Sequence, residues 1–249
     1  MTSGIWQTTT TILSHRGACV VVDPAYFPRE LAAIAARVAE LGRADAVVFT
    51  HGHWDHVMGH AAVPGAPVWV HRGLADAIAA GDPRAARYLE DAREFDSRWY
   101  VPRPDGHRWP TALRGVGDEE RIELGGIAVR ALELPGHSPD GLGLVVEDVL
   151  LVGDYLSPCE IPFVDDPPAY RRTLSRLIEL LAHDVREVIP GHGPRLAAAD
   201  ARTIAVADLA YLDQLLAGAP SIRLPRAADV VGMLDHHRDN CAKAGIATS

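Results

Sequence analysis

At 249 residues and 48% hydrophobic composition, the chain is long enough to bury a substantial core as a single large domain. A formal net charge of −9, with no block of lysine or arginine, argues against nucleic acid as the main partner, because phosphate binding needs a concentrated basic face. Cys19, Cys159 and Cys241 lie far apart without a C-x-x-C pair, and neither a basic leader nor a membrane-length apolar run is present, so a soluble, cytoplasmic protein with no membrane partner is expected. Lys243 is the only lysine, which disfavours Schiff-base chemistry.

Thr8 to Leu13 and Ala18 to Val22 read as strands joined by the polar turn Ser14-His15-Arg16-Gly17. The second strand ends at Asp23-Pro24, where the carboxylate either opens a turn or supports a metal centre from behind its ligands. Pro28 to Leu41 carries Leu31, Ile34, Ala35, Val38 and Leu41 at helical spacing and stops at Gly42.

Ala44 to Phe49 is a buried strand that runs directly into Thr50-His51-Gly52-His53-Trp54-Asp55-His56. Alternation along an extended segment places His51 and His53 on one side, able to share an ion. Asp55 and His56 then face another way and suit a second ion nearby, the two-metal arrangement of hydrolytic chemistry. A short helix is expected after His56, and His60, beyond the turn, is read as a non-ligand.

Pro67 to His71 is a strand, Gly73 to Ala80 a helix, and His71 a capping or surface residue. Pro83 to Arg114 breaks the pattern with Tyr88, Phe95, Trp99, Tyr100 and Trp109 among seven arginines. It is read as a surface helical excursion whose aromatics pack on the core, with a lid or substrate wall as the other reading.

Strands follow at Arg121 to Leu124, Ile127 to Leu134, Leu142 to Val146 and Val149 to Val152. Two of them deliver Gly136-His137-Ser138 and Gly153-Asp154. Tyr170 to Leu181 is a helix, and the strand Val185 to Ile189 delivers Gly191-His192-Gly193. Helices at Ala197 to Leu216 and Ala227 to Ala244 complete the chain, with His236 and His237 read as solvated. Four apolar strands thus end in metal-competent groups beside glycine, which lets the backbone turn sharply and leaves room for an ion.

With Asp23, HGHWDH at 51 to 56, GHS at 136 to 138, GD at 153 to 154 and GHG at 191 to 193 in this order, the chain resembles the metallo-β-lactamase-fold hydrolase superfamily, in its glyoxalase II-like or lactonase-like branch. The resemblance runs from the first hairpin to His192. It implies an α/β fold, an αββα four-layer sandwich. It also implies that His51, His53 and His137 hold one ion, that Asp55, His56 and His192 hold a second, and that Asp154 bridges them. Such donors suit two Zn²⁺ per chain, with Fe or Mn able to occupy the same groups.

The implied chemistry is attack by a bridging hydroxide, with Asp55 orienting it and taking its proton. Tyr155 is expected to pack beneath the strand end in preference to touching substrate. A bridging carboxylate at Asp154 points away from true β-lactamases and toward a small thioester, lactone or related ester. The alternative is a persulfide dioxygenase with a single iron on His51, His137 and Asp154. Neither glutathione dependence nor oligomeric state is fixed by these residues; Arg238 and Lys243 supply basic groups in the C-terminal helix.

Overall fold

The structure, a computed structural model, describes residues 1–219, 221–227 and 230–246. It is mixed α/β and divides into two compact units, Met1–Glu133 and Leu134–Ser249.

In the first unit β1 (Thr11–His15) and β2 (Ala18–Val22) pair antiparallel, with His15 opposite Ala18. The connection is therefore only Arg16-Gly17, both at positive φ (49° and 81°), a two-residue turn whose twist matches that of the strands. That register carries β1 through Ser14 and His15, later in the chain than the expected Thr8 start. Thr9 instead forms an isolated bridge with Thr2.

Beyond β2 the sheet is parallel: β3 (Arg43–Val48), β4 (Val68–His71) and β5 (Leu113–Val116) follow in sequence order. Val20, Val21, Val47 and Val70 are fully buried, as in parallel strands covered on both faces. α1 (Pro28–Leu41) is the crossover from β2 to β3, with Ile34 and Val38 buried. The Glu30 carboxylate accepts from the N–H groups of Tyr26 and Phe27 at 3.3 and 3.1 Å and from the Ser3 hydroxyl at 2.8 Å. One side chain thereby caps the helix and ties down the N-terminal turn.

The excursion after residue 83 resolves into helix and strand. α3 (Arg72–Ala80) leads to α4 (Pro83–Trp99), which buries Tyr88, Leu89 and Ala92. Tyr88, Phe95 and Trp109 pack inward, whereas Trp99 and Tyr100 are 63% and 92% exposed. The packing reading therefore holds for three of the five aromatics. β5 was not expected, because Arg114 and Gly115 disguise a four-residue strand whose pairing with β4 defines it. β6 (Arg121–Leu124) and β7 (Ile127–Glu133) form a hairpin through Gly125-Gly126.

In the second unit the strands β8 (Leu142–Val146), β9 (Val149–Leu151), β10 (Glu187–Ile189) and β11 (Leu196–Ala197) lie in the order β11-β10-β9-β8. β9 and β10 are parallel, so Gly153-Asp154 and Gly191-His192 leave neighbouring strands in the same direction. α5 (Pro167–His183) starts three residues before the expected Tyr170, because Asp166 caps it by accepting from Ala169 N–H at 2.9 Å. It packs on α6 (Ala198–Leu216) through Leu174, Leu177, Ala205 and Leu212, all fully buried or nearly so.

α7 (Met233–Lys243) is shorter than the expected Ala227 to Ala244; residues 228 and 229 of that span lie outside the described residues. His236 and His237 are half-buried, contrary to expectation. His236 lies on the Phe163 ring with centroids 3.8 Å apart, and His237 Nδ1 is 2.9 Å from the Tyr211 hydroxyl. Burial lowers both pKa values.

Candidate metal centre

β3 hands the chain to Thr50 and His51, His53 is still extended (φ −61°, ψ 143°), and a one-turn helix α2 (Trp54–Val57) begins at the next residue. Asp55 and His56 consequently sit inside a helix that starts before the expected position. This change from extended to helical backbone breaks the period-two alternation, and it leaves the His56 ring against that of His51, with centroids 4.3 Å apart. His51, Asp55 and His56 are buried at 2%, 4% and 0% exposure, so their polar groups must be satisfied within the protein or by a bound ion.

Asp23 organises this loop from behind. Its backbone is left-handed (φ 47°), a conformation that short polar residues tolerate, and its side chain is buried. Oδ1 accepts Thr50 N–H at 2.8 Å, and Oδ2 accepts the Thr50 hydroxyl at 2.6 Å and His56 Nδ1–H at 3.0 Å. Since the Thr50 hydroxyl gives its proton to Asp23, its oxygen receives His51 Nδ1–H, 3.2 Å away. Both imidazoles thus carry hydrogen on Nδ1 and present the Nε2 lone pair.

His51 Nε2 then faces His53 Nδ1 at 3.0 Å, and His56 Nε2 faces Asp55 Oδ2 at 3.4 Å. Two ligands of one ion, each about 2.1 Å from it at the tetrahedral angle, stand about 3.4 Å apart. Spacings of 3.0 and 3.4 Å therefore suit donor atoms gathered around an ion. The Thr8 hydroxyl, 3.4 Å from Asp55 Oδ2, adds a further contact that the sequence had not suggested.

The loop is braced by aromatics. Trp54 packs against Phe95 of α4 and against Tyr26 with centroids 4.6 and 4.9 Å apart, and Tyr88 stands 5.4 Å from the His53 ring. Tyr26 in turn donates to Asp96 at 2.6 Å, and burial with this hydrogen bond raises the Tyr26 pKa, keeping it a donor. Asp96 also accepts from Arg103 at 2.9 Å and contacts His107 at 2.7 Å. His60 turns to Val57 O, at 3.2 Å, and His71 caps α3 by accepting Gly73 N–H at 3.1 Å, the capping role expected of it.

The second unit carries a matching group. His137 Nε2 and His192 Nε2 each lie 3.2 Å from Asp154 Oδ2. The carbonyl of Phe163, which can only accept, takes His137 Nδ1–H at 2.9 Å and fixes the tautomer with Nε2 toward Asp154. Gly191 is required here by space: a Cβ on it would lie 2.2 Å from Asp154 Oδ1.

Tyr155 is buried, and its hydroxyl is spent on the backbone. It accepts His137 N–H at 3.0 Å and donates to Leu134 O at 3.1 Å, and burial raises its pKa so that the phenol stays protonated. The expected packing role is therefore joined by one in holding the His137 turn. Nothing in the sequence marked Phe163, since a backbone carbonyl leaves no trace in residue type. Thr50, adjoining the motif, was open to notice.

Histidines and aspartates clustered at strand ends, with outer ring nitrogens fixed by acceptors, define a metal-binding α/β protein. Residues 3–192 match the model of the metallo-beta-lactamase superfamily, and the chain belongs to that superfamily, whose members are generally metal-dependent hydrolases. A hydroxyacylglutathione hydrolase of Acidiphilium cryptum is 30% identical over 172 residues, covering 68% of this chain and 58% of the relative, so this chain spans little more than half of that protein. A metallo-beta-lactamase family protein of Thermus thermophilus superposes with a TM-score of 0.62 at 24% identity, covering 86% of this chain and 77% of that one. The protein TTHA1623, solved in a di-iron-bound form, has a TM-score of 0.59 at 26% identity over 80% of this chain and 94% of its own. The expected fold class is borne out. Among the described residues no helix is long and apolar enough to cross a membrane.

Proposed function

We propose that both units work as one domain and that their ligand groups serve a single centre holding two zinc ions. His51, His53 and His137 would hold the first, Asp55, His56 and His192 the second, and Asp154 would bridge them. The observation that carries this reading is the outward fixing of the rings: acceptors at Thr50, Asp23 and Phe163 leave the Nε2 lone pairs of His51, His56 and His137 turned toward other ligands. Bound zinc supplies a water acidified to near neutrality and a Lewis acid for the substrate's carbonyl.

The residues themselves supply position and proton transfer. Asp55, contacted by Thr8, orients the attacking water and accepts its proton. Burial of His51, Asp55, His56, His137 and His192 excludes competing solvent. The reaction proposed is hydrolysis of a small thioester, lactone or related ester, a reading supported by relatives named hydroxyacylglutathione hydrolase. Iron or manganese suits the same donors, and a di-iron form of one structural neighbour makes iron the first comparison.

The test joins metal analysis to a hydrolysis panel of thioesters, lactones and carboxylic esters. About two ions per chain, turnover of at least one class, and a fall toward one ion with strong loss of rate in His192→Ala are expected. A single iron with oxygen uptake on a persulfide, or metal content and rate unchanged in His192→Ala, would overturn the proposal.

A further inference from the structure

The His137 ring owes its orientation to a carbonyl in the irregular stretch between Asp154 and α5, and that stretch is gripped from the far end of the chain. Asn240, on α7 and 2% exposed, donates from Nδ2 to Pro162 O at 2.7 Å and accepts Val164 N–H on Oδ1 at 3.0 Å. These are the backbone groups on either side of Phe163, whose own carbonyl receives His137 Nδ1–H at 2.9 Å. The second hydrogen of the amide goes to the Tyr211 hydroxyl on α6 at 3.1 Å. Three hydrogen bonds therefore fix which way the carboxamide faces, and the carboxamide fixes the backbone on both sides of Phe163.

We propose that Asn240 is a positioning residue for the metal centre. Through Phe163 it sets the rotation and tautomer of His137, so α7, which lies beyond the stretch matched by the family model, completes the site. The inference rests on the reading of His137 as a ligand.

Without the carboxamide, Val164 N–H is buried with no acceptor from α7, and the stretch must rearrange to satisfy it. Phe163 O then swings away, and the imidazole gains freedom to rotate or to carry its proton on Nε2, where it cannot ligate. Gly136 O, which accepts Asp165 N–H at 2.7 Å and Asp166 N–H at 2.9 Å, still holds the far end of the stretch, so the change is local.

The experiment uses the full chain and measures zinc affinity by competition with a chromophoric chelator. It also follows exchange of the ring N–H proton by NMR of the Co²⁺-substituted protein. Asn240→Ala should weaken one of the binding steps by about 10- to 100-fold and speed exchange of one ring proton. Asn240→Asp, which can still accept from Val164 N–H but cannot donate to Pro162 O, should lie between it and the wild type.

Met233→Ala, at a buried position on the same helix, should lower thermal stability while leaving affinity and exchange unchanged. Asn240→Ala with wild-type affinity and exchange, or Met233→Ala with the same losses, would overturn the proposal. His137→Ala separates the two levels: if it leaves metal binding intact, the ligand set itself is wrong and the role of Asn240 falls with it.

Discussion

Asn in place of Asp23 keeps the shape of the side chain and the tolerance of left-handed backbone while changing one acceptor into a donor. In the orientation that costs less, the amide oxygen takes the place of Oδ2 and still receives the Thr50 hydroxyl and His56 Nδ1–H, while the NH₂ group meets Thr50 N–H donor to donor. One bond to a charged acceptor is lost, about 1.5–3 kcal/mol, and the other two weaken by about 1 kcal/mol each as their acceptor becomes neutral.

The sum is about 3.5–5 kcal/mol. At about 2–4 °C per kcal/mol for a chain of this size, the unfolding midpoint of metal-free protein should fall by roughly 10 °C. His56 also loses a charged partner for Nδ1–H, so, on the proposed reading of His56 as a zinc ligand, zinc affinity should drop by about 10- to 100-fold. Circular dichroism melts and chelator competition measure the two effects. A midpoint within about 2 °C of wild type together with unchanged zinc affinity would show that the network behind the ligands does not act as argued.

Gly191→Ala should lower metal content and turnover, because the added methyl falls 2.2 Å from Asp154 Oδ1 and 2.8 Å from the Gly153 carbonyl carbon; elemental analysis of the folded fraction tests this, and full metal occupancy would contradict it. Asp208, fully buried on α6 and held by Arg226, has its pKa raised from 3.8 to about 6 by burial, partly offset by that guanidinium. The folded state therefore binds this proton more tightly than the unfolded chain, and the stability it contributes is full below the unfolded value and lost as pH rises through about 6. Denaturation midpoints of wild type and Asp208→Asn should accordingly draw apart or together between about pH 4 and 7, whereas a constant difference would exclude the linkage.

The sequence by itself determined the metal-competent residue types and the strands that deliver them. Apolar runs ending in glycine and histidine are local features, and the order of His51, His53, Asp55, His56, His137, Asp154 and His192 along the chain was enough to identify the superfamily. Periodicity also located α1, α5 and α6, because a buried helical face must repeat at helical spacing. It did not locate β5 or β11, whose few residues become strands only by pairing with β4 and β10.

Tertiary structure alone decided which groups stand behind these histidines and aspartates. Asp23 could have opened a turn, and only its approach to Thr50 and His56 made it the organiser of their tautomers. Phe163 and Asn240 gave no sign at all, since hydrogen bonds to backbone groups more than seventy residues away depend on how helices pack rather than on any local pattern.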